Sequence, residues 1–185
     1  GSVGEWAART AGTHGNSLGV SICATGTAYQ QSLGTNNLVD QADVAVGDTT
    51  IQVDNADASG FAINVGDMLS FYSDANYTTP VDNYREYEVT AVDTSSNIVT
   101  LRLKDDPNGA GFQTAIADNS FILRRWKFYD LFDSAPGTSA YATQNGRGTG
   151  DEMHVVVYDT TGDITGFDNG VAGQNQSSVI ETFSN

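Results

Sequence analysis

Residues 85–103, REYEVTAVDTSSNIVTLRL, restrict the fold more tightly than any other stretch. Across 85–92 the side chains alternate, with Tyr87, Val89 and Ala91 on one side and Glu86, Glu88 and Thr90 on the other. Successive side chains of a strand point to opposite faces, so this two-residue period predicts a half-buried strand. Residues 93–97, DTSSN, read as a turn. Ile98, Thr100 and Arg102 then alternate with Val99, Leu101 and Leu103.

Similar signals flank this pair. VAVGDTTIQVDNA (44–56) reads as strand, turn, strand, bending at Gly47-Asp48, and FAINVGDMLSFYSD (61–74) as a turn at 65–67 followed by a strand. Residues 105–109 form another turn pattern, and 119–126 the last strand. Five or six short strands at this spacing predict a small closed barrel or sandwich. Outside it, LGVSICA (18–24) is one strand and 153–159 another, while 179–183 suits either a strand or the first turn of a helix. Residues 29–43 read as polar and turn-like, and 127–150 as a long loop. The expected architecture is mainly β or α+β: a discontinuous body of residues 1–28 and 127–185, carrying an inserted β-barrel of residues 29–126.

Composition agrees with strands joined by turns. There are 20 glycines, and the acid is mostly Asp, with Glu only at 5, 86, 88, 152 and 181. Asp favours turns and caps, whereas Glu favours helix interiors. The formal net charge is −15. Such a chain repels phosphate backbones, so no nucleic-acid partner is expected. No apolar run is long enough to span a membrane. Cys23 is the only cysteine, which excludes an intrachain disulfide, and its setting predicts a small buried side chain rather than a nucleophile. Gly1-Ser2 reads as a vector remnant and VIETFSN stops in mid-pattern, so an excised piece of a longer protein is expected.

Three places could hold chemistry. Asp151-Glu152-Met153-His154 resembles a D-E-x-H box, but such a box follows its strand and needs a GxxxxGK[ST] phosphate loop, which the chain lacks. With His14 and His154 the only histidines, zinc would need an unusual majority of carboxylates. The simpler expectation is that Asp151 and Glu152 end a loop. His154, Val156 and Tyr158 then lie on one face of a strand and Met153, Val155 and Val157 on the other, both faces buried, with His154 hydrogen-bonded. DTTGDITGFD (159–168) has calcium-loop spacing but follows a strand instead of a helix and lacks the final Glu, so a turn is expected. Arg124, Arg125 and Lys127 are a short basic patch in an acidic chain, expected to form internal or intersubunit ion pairs. No Ser-His-Asp set is suggested by spacing. No catalytic, cofactor or metal residues are expected, and the chain is not expected to be an enzyme.

DEMHVVVYDTTGDITG (151–166), followed by VIETFSN, resembles the tail sheath proteins of contractile-tailed bacteriophages. In that family a D-E-[ILM]-H-V-V-V strand leads into a D-x-x-G-x-x-T-G turn and then a V-L-E-[KR]-[FY] segment. APGTSAYATQNG (135–146) is similar to the family's A-P-R-P-G-T-S-x-Y-A-x-x-x-N stretch. Gly4-Glu5-Trp6 and Gly15-Asn16-Ser17-Leu18 resemble its G-x-W-G-N-S-L segment, in the same order along the chain. AARTAGTH (7–14) separates what the family runs together, and 168–178 lengthens a loop. The resemblance spans residues 3–24 and 127–185 and leaves the insert unassigned.

The resemblance implies a structural virion protein without cofactor. Its partners would be other sheath subunits, the tail tube protein, and the baseplate and tail terminator proteins. Contraction of the stacked rings would drive the tube through the host envelope. This piece alone is expected to be monomeric. The alternative is a carbohydrate- or receptor-binding β module, with a groove lined by Tyr72, Tyr77, Tyr84 or Tyr87.

Overall fold

The computed structural model describes residues 9, 12–41, 44–104, 106, 108–168 and 177–184. Gly4-Glu5-Trp6, most of 7–11, Asp105, Pro107 and residues 169–176 lie outside the described residues. The elements run α1 (Thr13–Asn16), β1 (Leu18–Cys23), α2 (Gly26–Tyr29), β2 (Gln30–Ser32), β3 (Thr50–Gln52), β4 (Met68–Tyr72), β5 (Tyr87–Asp93), β6 (Ile98–Leu103), β7 (Phe121–Arg125), α3 (Ala140–Gln144), β8 (His154–Asp159) and β9 (Val179–Phe183). The fold is mainly β, in two antiparallel sheets ordered β1-β8-β9 and β2-β7-β4-β5-β6-β3. Two compact units divide the chain. One is Thr27–Tyr129, and the other joins the described residues of Gly1–Gly26 and Asp130–Asn185.

The six-stranded sheet of the 27–129 unit grows from the alternating pair read at 85–103. β5 and β6 pair antiparallel, and Asp93 orders their turn by accepting from Ser95 N and from the Ser95 and Ser96 hydroxyls. Those bonds favour the carboxylate and pull its pKa down to about 2. One face buries Leu69, Phe71, Tyr87, Val89, Val99, Leu101 and Ile122 in a single core. Phe112 packs between Phe71 and Tyr87, with ring centroids 5.4 and 4.8 Å apart.

Several expectations need correction here. The 29–43 segment is not merely turn-like. It carries β2, and Leu33 and Val39 are fully buried: Leu33 N bonds Ile122 O and Val39 N bonds Ser120 O, which holds the segment beside the chain running into β7. Of the strand expected at 44–46, only a Val44–Ile116 bridge forms. A bulge between Val89 and Ala91 shifts the register, so Val92 opposes Val99 while Ala91 is exposed. The side of β5 expected to face water is also covered, since Glu88 is buried. The named strands do not close into a barrel: β2 and β3 stand at the two ends of the sheet order.

In the other unit, β8 is central, flanked by β1 and β9. Residues 179–183 are therefore a strand. Gly19 leaves room for the Tyr158 ring across the β1–β8 pair, since a Cβ there would come within 2.5 Å of it unless the ring shifted. The loop expected over 127–150 contains α3, whose N-cap Ser139 accepts from Ala142 N through its hydroxyl. Burial of β8 on both faces is also corrected. His154 and Val156 are buried, but Met153 on the other side is exposed and Val155 and Val157 are only half-buried.

Candidate functional site

The acids and histidine of 151–154 are built into the structure of the 134–139 loop. The Asp151 carboxylate accepts from Ser139 N at 2.8 Å and from the Ser139 hydroxyl at 2.7 Å. Glu152 accepts from Gly137 N at 2.9 Å, while its own N–H donates to Gly137 O. Thr138 Oγ1 accepts from Gly150 N. These bonds lace the 137–139 stretch to 150–152, leaving Ser139 placed to cap α3. They also lower the Asp151 pKa, because Ser139 bonds to the charged form.

His154 opposes Cys23 in the β1–β8 ladder and is buried. Its ring stacks on Phe132 with centroids 4.1 Å apart and planes at 5°, and Nε2 donates to Ser134 O at 2.8 Å. A cavity of about 230 Å³ beside it is lined by Leu131, Phe132, Asp133, Ser134, His154 and Ser184. That is below the roughly 300 Å³ at which small-molecule sites begin. Cys23 is fully buried, and burial pushes its thiol pKa up, away from the reactive thiolate. His14 lies apart and exposed in α1. Among the described residues no three His, Cys, Asp or Glu side chains are grouped as metal ligands.

The 159–168 pattern folds as a turn around one carboxylate. Asp159 is fully buried and accepts from the N–H groups of Gly162, Ile164 and Thr165 at 2.7–3.0 Å. The hydroxyls of Ser17 (2.6 Å) and Thr165 (3.1 Å) also donate to it. Burial alone would raise this acid, but the bonds from Ser17, Thr165 and Ile164 outweigh it and hold the carboxyl well below the usual range. A carboxylate ringed by N–H donors presents no free lone pairs to a cation. The Asp-Gly spacing that imitated a calcium loop instead reflects a turn whose backbone converges on its first residue.

The basic patch is spent on internal pairs. Arg125 meets Glu86 at 2.6 Å and Lys127 meets Glu88 at 2.9 Å. Arg124 bonds the Gln31 amide oxygen and Ala62 O and lies 3.9 Å from Asp67. Across the sheet, Arg102 adds a 2.6 Å pair to Glu88, and Lys104 a 3.0 Å pair to Glu86. Tyr129 donates its hydroxyl to Glu86; burial, and then this bond, push its pKa up to about 12. Sequence reading missed Glu86 and Glu88 as the centres of this network. The available signal was cross-strand placement, since Glu88 opposes Arg102 in the β5–β6 register.

The four tyrosines do not line one groove. Tyr87 and Tyr72 are buried, and Tyr87 donates to the buried Asp82 carboxylate. Tyr77 packs edge-on against Tyr72 and Phe121 and accepts from Gly34 N, leaving Tyr84 as the exposed member. Comparison with known protein families matches none, and comparison with curated proteins likewise finds no match.

Proposed function

We propose that this chain is part of a structural subunit of a contractile tail sheath. It would assemble with further sheath subunits around a tail tube, between baseplate and tail terminator proteins, and its work would be mechanical. One observation carries the reading. The separate stretches that resemble the family meet in one unit, and their distinctive residues bond one another. Ser17 of the first stretch bonds Asp159 of the third at 2.6 Å, and Thr160 N and Oγ1 both donate to Ser17 O. Gly137 and Ser139 of the second bond Glu152 and Asp151 of the third. Residues that read as motif in the sequence thus bond to one another within this unit, which suits a subunit that would move as a body between two packings.

The insert reading is finer. The 38–40 segment supports a barrel-like closure, because it bonds both to β3, at one end of the sheet order, and to residues leading into β7, the strand next to the other end. Leu38 O accepts from Asp54 N, Asp40 N donates to Gln52 O, and Val39 exchanges bonds with Ser120 and Asn119.

Immunogold electron microscopy tests the sheath reading. Antibodies against this chain should label contractile particles along the tail, in extended and contracted states alike. Label confined to fibres or baseplate tips, or absent from particles, would refute it.

A further inference from the structure

The β1-β8-β9 sheet leaves one face apolar and open. Register sets Leu18, Val20 and Ile22 of β1 opposite Asp159, Val157 and Val155 of β8. Val157 and Val155 in turn oppose Glu181 and Phe183 of β9. Directly opposed residues of antiparallel strands share a face. On this one Leu18 is 39% exposed, Ile22 42% and Phe183 49%, and Met153, just before β8, is 48% exposed. The opposite face holds Cys23, His154 and Val156, all buried, and is exposed only along β9, at Ile180 and Thr182. A contiguous apolar patch on an otherwise polar surface marks an interaction site.

We propose that this face docks a single amphipathic α-helix of a partner protein, apolar toward the sheet and carrying Lys or Arg beside β9. The shape argues for one helix. Three strands about 4.8 Å apart make a surface about 10 Å across, the diameter of a helix with its side chains. The six residues of β1 run about 20 Å, the length of roughly 13 helical residues. Among the described residues the longest helix, α3, has five, so the occupant comes from outside them.

Charge argues for the basic flank. Glu181 is exposed amid the apolar side chains and makes no hydrogen bond or ion pair among the described residues. The segments forming this unit contain nine acidic residues against Arg9 and Arg147. A second copy would bring the same acidic surface against itself, which like-charge repulsion opposes. The inference rests on this sheet alone and goes beyond the sheath reading.

The test uses the whole 185-residue chain and a fluorescein-labelled 14-residue Leu/Lys helical peptide, with a Leu/Glu peptide as its charge-reversed twin. Anisotropy should show saturable binding of the Lys peptide. Ile22→Ser with Phe183→Ser should weaken it at least tenfold. Glu181→Lys, an exposed change with unaltered circular dichroism, should weaken the Lys peptide severalfold and strengthen the Glu peptide. Amide shifts on binding should be confined to β1, β8 and β9. Lack of saturable binding, equal binding by the double variant, or indifference to Glu181→Lys would overturn the proposal. So would a dimer in sedimentation that Ile22→Ser dissolves, since a second copy would then be the occupant.

Discussion

Glu88→Gln keeps the shape of a side chain that sits between two cations and removes only its charge. Glu88 retains 6% of its side-chain surface, with Arg102 at 17% and Lys127 at 15%. Deleting one member of a fully buried ion pair costs about 3–5 kcal/mol, because the other charge stays desolvated. The cations here are partly wet, and a Gln amide keeps one acceptor. The expected loss is therefore about 2–3 kcal/mol, or roughly 10–20 °C in the melting of a unit this size. Urea titration followed by near-UV circular dichroism of the buried Tyr72, Tyr87 and Trp126 would measure it.

The pH dependence separates an electrostatic loss from a packing defect. Burial by itself would raise the Glu88 pKa, but Lys127 and Arg102 outweigh it and hold it below its ordinary 4.5. A depressed carboxyl contributes stability that is full above the ordinary value and is lost as pH falls through the folded one. The difference between wild type and Glu88→Gln should thus be flat from pH 7 to about 5 and shrink in stronger acid. A difference under about 1 kcal/mol at pH 7, or one that stays constant or grows on acidification, would refute the reasoning.

Asp159→Asn should release the 162–165 turn, accelerating amide exchange of Ile164 and Thr165 at least tenfold while the exchange of β4–β7 is unchanged. Because the Asp159 carboxyl is held far below its ordinary value of 3.8, the wild-type turn should keep full protection above about pH 5 and lose it progressively as pH falls below the ordinary value. Gly111→Ala should destabilise the 27–129 unit by about 3 kcal/mol in urea titration, since a Cβ there would overlap the carbonyl oxygens of Gly47 and Asp48. Phe112→Ala, at a fully buried ring, should cost about 3–5 kcal/mol in the same assay. Sedimentation at tens of micromolar should find the chain monomeric, with a stable hexamer the contrary result.

The sequence by itself determined where the strong strands and their turns lie. The alternation at 85–103, the DTSSN turn and the apolar run before Asp159 are local patterns, and the backbone obeys them with only a bulge at Val89/Ala91. It also pointed to ordinary structural roles for Asp151, Glu152, His154 and Asp159, because their spacing satisfied no known ligand or catalytic set. Only the tertiary structure decided which faces are covered. Glu88 looked solvated and is buried, because Arg102 arrives from β6 and Lys127 from the turn after β7. Gln30–Ser32 looked like a turn and is a strand, because β7 offers it a partner. Val155 and Val157 looked buried and are only half-buried, on the same face as the exposed Ile22 and Phe183. Periodicity reports how neighbouring side chains alternate; burial depends on what distant segments bring to each side, and a local pattern holds no record of that.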